Sequence, residues 1–179
     1  LVDPLDGTKE FVKRNGEFTV NIALIKNHLP IAGIVYAPTK STFWYGADGI
    51  GSYKIINDSD PKKILVKDNH RAPIRIVSSR SHPSPKLESY LKQFPDHKII
   101  NMGSSLKICL VADSSAHIYP RLGPTMEWDS GAGHAVLKFA GGELISRETG
   151  EELMYNKEVL KNPDFICYAP KVKEVYEVL

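Results

Sequence analysis

The sequence predicts an α+β fold, a layered α/β sandwich of two sheets. Alternating apolar and polar residues run through successive short segments from Phe18 to Ile55, and after Pro73 the rhythm changes to strands alternating with helices. No internal repeat, low-complexity tract or extended linker separates these halves, so one compact unit is expected. At 179 residues and 42% hydrophobic content, the chain is long enough to bury a core of that size. Residues 1–72 are expected to hold an acidic motif and an antiparallel sheet, and residues 73–179 an α/β subdomain.

The first elements follow from period-two patterning. Val20, Ile22 and Leu24 alternate with Asn21 and Ala23, and Ile31 to Tyr36 follows the break at Pro30. Thr42 to Ala47 and Ile50 to Ile55 are joined by Asp48-Gly49, which predicts a type I′ hairpin and hence a meander. Asn57 to Ala72, with Pro61 and two lysines, predicts an edge strand or connector. Strands are then expected at Ile74–Ser78, Lys98–Met102, Ala116–Tyr119, Glu143–Ile145 and Phe165–Tyr168. Helices are expected at Pro85–Phe94, Ser105–Ala112, Ser130–Ala140 and from about Val172.

Composition narrows the function. Charged residues make up 25% of the chain and the net charge is +2, so no global field favours nucleic acid or a membrane surface, and an anionic ligand must be held locally. No apolar run approaches the ~20 residues of a membrane span. Cys109 and Cys167 sit in apolar surroundings without metal-ligand spacing and read as buried thiols, which fits a reducing cytoplasm. Peripheral membrane association is left open.

Two acidic clusters carry the chemistry. In Asp3-Pro4-Leu5-Asp6-Gly7-Thr8, Pro4 interrupts an apolar strand start, so a turn is expected where Asp3 and Asp6 converge at the strand end. Two carboxylates and a turn carbonyl form half of an oxygen site for a hard cation. Gly7 allows close approach to a phosphate, and Thr8 opens a short helical turn through Phe11 whose N–H groups favour an anion. For an arbitrary Asp-x-x-Asp, an Asx-type turn would be the better explanation. The second cluster is Trp128-Asp129-Ser130-Gly131-Ala132-Gly133-His134, ahead of a small-residue helix ending at Gly141-Gly142. There Asp129 occupies an expected N-cap position, and capping alone would account for it.

Taken together, the clusters are more specific than either alone. Asp-Pro-Leu-Asp-Gly-Thr-Lys-Glu-Phe resembles the Asp-Pro-[Ile/Leu]-Asp-Gly-Thr signature of the inositol-monophosphatase superfamily. The Trp128 to Gly142 stretch resembles that superfamily's second signature, with Gly131 in place of the usual Ala. The resemblance implies the sugar-phosphatase fold and two or three Mg²⁺ ions bound by Asp3, the Leu5 carbonyl, Asp6 and Asp129. It further implies a scissile phosphate cradled by Asp6, Gly7, Thr8 and Asp129. Two-metal phosphoryl chemistry would then activate water at one ion and stabilise the leaving oxygen at the other.

Substrate choice rests on other segments. Ser78 to His82, Gly103 to Lys107, Tyr119 to Pro124 and Phe11 to Phe18 resemble the bacterial 3′(2′),5′-bisphosphate nucleotidases of the CysQ type. A substrate with two phosphates needs cations beyond the metals, and Lys107 and Arg121, with Ser104 at a helix start, are the candidates for the phosphate that is not cleaved. Each also has a plainer explanation: a solvated helix lysine, a surface arginine and an N-cap serine. His82 is a candidate for ribose or base contact by resemblance alone, and His134 is expected to pack rather than to react. The expected activity is hydrolysis of 3′-phosphoadenosine 5′-phosphate to AMP, with Li⁺ inhibition and a role in sulfur assimilation. An inositol or sugar phosphatase and a non-catalytic phosphate-binding fragment stand as alternatives. A monomer and a homodimer are both compatible with the sequence.

The chain opens inside its first motif. The resemblance places a Glu-Glu pair and a water-orienting Asp/Thr pair upstream of that motif, so the catalytic groups are expected before residue 1. Glu10 and Glu17 lie downstream and cannot take those roles by position. The 179-residue chain alone is therefore expected to be weakly active or inactive.

Overall fold

The computed structural model describes residues 1–67, 73–81 and 85–176. The first half forms a six-stranded antiparallel sheet in chain order: β1 (Val2–Asp6), β2 (Thr19–Lys26), β3 (Leu29–Ala37), β4 (Thr42–Ala47), β5 (Gly51–Ile56) and β6 (Lys62–Ile64). A short helix, α1 (Thr8–Val12), lies between β1 and β2. The second half contributes β7 (Ile74–Ser79), α2 (Pro85–Leu91), β8 (His97–Met102), α3 (Leu106–Ala112) and β9 (Ile118–Arg121). It continues with α4 (Glu127–Phe139), β10 (Glu143–Ser146), β11 (Phe165–Tyr168) and α5 (Val172–Val175). Its five strands are ordered β10-β11-β9-β7-β8, with β7 parallel to β8 and β9 and the other pairs antiparallel.

The layered sandwich is thus observed, with helices α3 and α4 between the two sheets. Helix α4 packs on β2, β3 and β4 of the first sheet, while α3 packs on β7, β9 and β11 of the second. The core between the layers is built from Val35, Trp44, Val77, Cys109, Val111, Val136, Leu144, Tyr155 and their neighbours. A second cluster, including Ile76, Phe94, Ile118, Tyr168 and Val172, closes the outer face of the second sheet under α2 and α5. Both cysteines are free and buried, as the sequence implied.

Close approach of α4 to the first sheet depends on residues without side chains. A Cβ built at Gly33 would lie 2.5 Å from the Ala132 carbonyl oxygen and 2.8 Å from the Ala135 Cβ. The small residues Ala132 and Ala135 provide the matching surface, so the helix lies nearly on the backbone of β3, while Gly133 on another side meets Ile108 of α3. In β2 the small and polar residues Thr19, Asn21 and Ala23 face these helices, whereas Ile22 and Leu24 are 48% and 59% exposed.

Three local expectations are corrected. The chain does not leave the sheet at Pro4: β1 continues through it to Asp6, because β1 is an edge strand and the register slips between Asp3 and Asp6. The β4–β5 link spans residues 48–50, with Ala47 paired to Gly51 and positive φ at Gly49 and Gly51 but not at Asp48, so it is not a type I′ turn. Helix α4 starts at Glu127 with Met126 as its N-cap, which makes Asp129 the third helical residue. His82 and residues 68–72, the end of the expected connector, lie outside the described residues.

Candidate metal and phosphate site

The register slip in β1 explains how two aspartates three residues apart come to one side. In a regular strand, residues i and i+3 point to opposite faces. Asp3 pairs with Asn21 and Asp6 with Thr19, so one more residue separates the pair on β1 than on β2. That extra residue is a β-bulge, and it returns Asp6 to the face of Asp3. Asp129 arrives from the first turn of α4. Asp3, Asp6 and Asp129 each offer a carboxylate oxygen, and these atoms all lie within 4.8 Å of one another.

Each carboxylate is anchored. Asp3 Oδ1 accepts the Leu5 N–H at 3.0 Å, and Asp129 Oδ2 accepts the Met126 N–H at 2.8 Å. Asp6 Oδ2 accepts from the Ser104 hydroxyl and the Ser105 N–H, both at 2.6 Å, and from Asn21 Nδ2 at 3.3 Å and Thr19 Oγ1 at 3.4 Å. Thr19 Oγ1 also bonds the hydroxyls of Ser104 and Ser105, and Ser105 Oγ donates to Asn21 Oδ1 at 2.8 Å. The polar residues on the inner face of β2 thus tie the Asp6 turn to the start of α3.

Three carboxylates held this closely repel one another. Burial pushes Asp129 up to about 6; the Met126 N–H opposes this, and the charges of Asp6 and Asp3 add to it. Burial likewise raises Asp3, against the Leu5 N–H and with the Asp6 charge. A hard divalent cation reverses the balance, because it favours the ionised form of every ligand it touches. The all-oxygen donor set and its spacing fit such an ion.

The start of α4 is held by the coil before β11. The fully buried Glu127 carboxylate accepts the N–H groups of Asn156 and Lys157, at 2.6 and 3.1 Å, and the Lys157 ammonium. Asn162 Nδ2 donates to the Met126 carbonyl and to Ser130 Oγ, both at 2.9 Å. His134 is buried between Tyr155 OH, 3.0 Å from Nδ1, and Glu152, 3.3 Å from Nε2, a packing position rather than a reactive one.

Beside the carboxylates lies a cavity of about 80 Å³, lined by Asp6, Gly7, Ser104, Lys107, Arg121 and Asp129 and completed by Glu10, Ser79 and Tyr119. Gly7 has φ 85°, the left-handed conformation that turns the chain into α1 at Thr8. Lys107 is 7% exposed, donates to the Ser104 carbonyl and stands 5.6 Å above the Tyr119 ring. Burial lowers its ammonium to about 8, with Asp6 opposing the fall. Arg121 Nη2 donates to the Pro124 carbonyl at 2.6 Å, while its buried Nε has no hydrogen-bond partner. A larger groove of about 750 Å³ beside residues 146–164 contains none of the sequence-derived candidates.

Asp3, Asp6, Asp129, Gly7, Ser104, Lys107 and Arg121 are therefore brought together, with Leu5 and Thr8 on the same turn. Ser104 differs from its expected setting: it precedes α3 in a left-handed conformation, φ 54°, and its hydroxyl is spent on Asp6 and Thr19. Sequence reasoning missed Thr19, Asn21, Ser105, Asn162 and the cavity position of Glu10. Two polar residues at alternate positions in the first half of β2 were the readable sign for Thr19 and Asn21, whereas Asn162 gave none.

Comparison with known proteins places this geometry. The model of the inositol monophosphatase family matches residues 1–176. The chain is similar to the 3′(2′),5′-bisphosphate nucleotidase CysQ of Escherichia coli K12, 49% identical over 166 residues, and to that of Salmonella typhimurium, 48% identical over 166 residues. In both cases the alignment covers 92% of this chain and 65% of the relative, so the chain spans about 65% of these relatives' length. The crystal structure of CysQ from Bacteroides thetaiotaomicron superposes with a TM-score of 0.87 and 44% identity, covering 94% of this chain and 68% of that one. With that breadth of match and both acidic signatures converging in space, the chain belongs to the inositol monophosphatase family.

Proposed function

We propose that the protein is a Mg²⁺-dependent phosphomonoesterase that hydrolyses 3′-phosphoadenosine 5′-phosphate to AMP and phosphate. The observation that carries this reading is the convergence of three carboxylates beside a cavity holding two cations, Lys107 and Arg121. Asp3, the Leu5 carbonyl, Asp6 and Asp129 would hold the metal, which when bound polarises the phosphoryl oxygens and supplies an acidic water. Gly7 and Thr8 would receive the scissile phosphate at the backbone of their turn. Lys107 and the unsatisfied Nε of Arg121 would receive the second phosphate, with the Ser104 carbonyl holding Lys107 and the Pro124 carbonyl holding Arg121. The curated relatives described above are named 3′(2′),5′-bisphosphate nucleotidases, which supports a substrate of that class.

Phosphate release from 3′-phosphoadenosine 5′-phosphate and from inositol 1-phosphate, with and without Mg²⁺, tests the reading on both the 179-residue chain and the full-length protein. The nucleotide is expected to be the better substrate and Li⁺ to inhibit. Preference for the inositol ester would favour a broader sugar phosphatase. Nucleotide binding without turnover at either length would favour a non-catalytic phosphate-binding protein.

The position of Lys107 makes a pH prediction. Its ammonium, lowered to about 8, is charged below that pH and neutral above it. The KM for a bisphosphate is therefore expected to rise as pH increases beyond 8, approaching tenfold per pH unit in the limit of full dependence on the charge. A monophosphate that does not reach Lys107 should show no such limb in its KM profile. Parallel profiles for the two substrates would remove Lys107 from the second-phosphate site.

A further inference from the structure

We infer that Glu10 is a specificity residue: its carboxylate accepts a hydrogen bond from a neutral donor, a hydroxyl or amine, on the non-phosphate part of the substrate. This rests on the phosphomonoesterase reading of the same cavity. Glu10 sits on α1, one helical turn beyond Gly7, is only 4% exposed and lines the cavity that Lys107 and Arg121 share. Among the described residues no hydrogen bond or ion pair reaches its carboxylate.

The contrast with Glu17 shows what is unusual. The Glu17 carboxylate is also buried, but Arg80 grips it with two bonds of 2.8 Å and the Gly103 N–H adds a third. Glu10 and Glu17 both pack against Gly103, where a Cβ would fall 2.5 Å from Glu10 Cγ and 2.9 Å from Glu17 Cβ. The loop is thus shaped around both side chains, yet only one has its acceptor capacity filled. The Glu10 side chain is packed, but its oxygens are not sealed from the cavity that the residue lines, so a donor on the ligand can reach them. A phosphate oxygen cannot do this, because it carries like charge and no proton to give. Glu10 therefore lines the same cavity as the two cations and sorts substrates by their neutral donors.

In a nucleoside bisphosphate the donor is either the ribose 2′-hydroxyl or the exocyclic amine of the base. Hydrolysis of 3′-phosphoadenosine 5′-phosphate by the full-length protein is compared with its 2′-deoxy and its 6-deamino analogues, in wild type, Glu10→Gln and Glu10→Ala. Wild type is expected to disfavour one analogue by about 10²-fold or more in kcat/KM, because a site built to bond a donor is left with an unpaired buried acceptor. Glu10→Ala is expected to erase that preference, bringing the two kcat/KM values together, and Glu10→Gln to fall between. The analogue that responds identifies the donor. Equal handling of both analogues by wild type, or a loss in Glu10→Ala that is uniform across all three substrates, would overturn the assignment. Turnover of inositol 1-phosphate in place of any nucleotide would sink the nucleotidase reading alone. The same variants on singly deoxygenated inositol phosphates then decide Glu10.

Discussion

Asp129→Asn is expected to lower kcat/KM of the full-length protein by about 10³-fold, roughly 4 kcal/mol of transition-state stabilisation. The substitution is nearly isosteric, and its amide oxygen can still accept the Met126 N–H that holds the first turn of α4. Helix and packing should therefore survive while one anionic ligand is lost. The residual cluster of Asp3 and Asp6 keeps two carboxylates, so Mg²⁺ binding measured by calorimetry in the absence of substrate should weaken rather than vanish. Unchanged metal affinity together with unchanged turnover would show that Asp129 only caps its helix, the role its position at the third helical residue would otherwise fill. Comparison with Asp6→Asn separates ligation from architecture. Asp6 Oδ2 accepts four donors, from Thr19, Asn21, Ser104 and Ser105, so that variant should lose stability as well as metal.

Gly33→Ala is expected to be among the most destabilising single-methyl additions to the fold, at about 3 kcal/mol. The new Cβ would fall 2.5 Å from a helix carbonyl and 2.9 Å from Ala132 Cα, atoms that cannot move without shifting α4 as a whole. That helix carries Asp129, so the strain should reach the site: thermal unfolding would fall by several degrees and Mg²⁺ affinity would weaken with it. Gly49→Ala offers a control, because nothing lies within 4 Å of a Cβ there, although its φ of 72° still adds a small backbone cost. If Gly33→Ala proved as mild as Gly49→Ala, the tight contact between α4 and β3 would not be what fixes the helix on the sheet.

Much of the architecture was legible because short-range patterns carried it. The meander followed from alternating residues between Val20 and Ile55, and the second sheet from strands and helices alternating after Pro73. The departures came where local signals and tertiary surroundings compete. Pro4 reads as a strand breaker, yet an edge position with a bulge has no ladder partner for it to lose, so β1 runs on to Asp6. Asp129 reads as an N-cap, yet the Glu127 N–H donates to the Leu160 carbonyl at 2.9 Å and the Glu127 side chain is gripped by residues 156 and 157. Those contacts extend the helix by a turn that propensity alone did not call for.

By itself the sequence determined the family and singled out the three carboxylates that converge, because Asp3, Asp6 and Asp129 sit in two strings whose order and composition are specific. It also determined that an anion had to be held locally, since a net charge of +2 supplies no long-range field. Only the tertiary structure decided how the site is held and what else faces it. Three aspartates from two distant segments meet because a bulge turns Asp6 over and because Gly33 lets α4 lie close to the sheet. Thr19, Asn21 and Asn162 entered through contacts across 13 to 36 residues of chain. Glu10, set aside by position, proved to line the cavity with its carboxylate unpaired. The physical reason is that ligand identity is a property of residue type and local spacing, whereas orientation, burial and partnership are properties of residues that only folding makes neighbours.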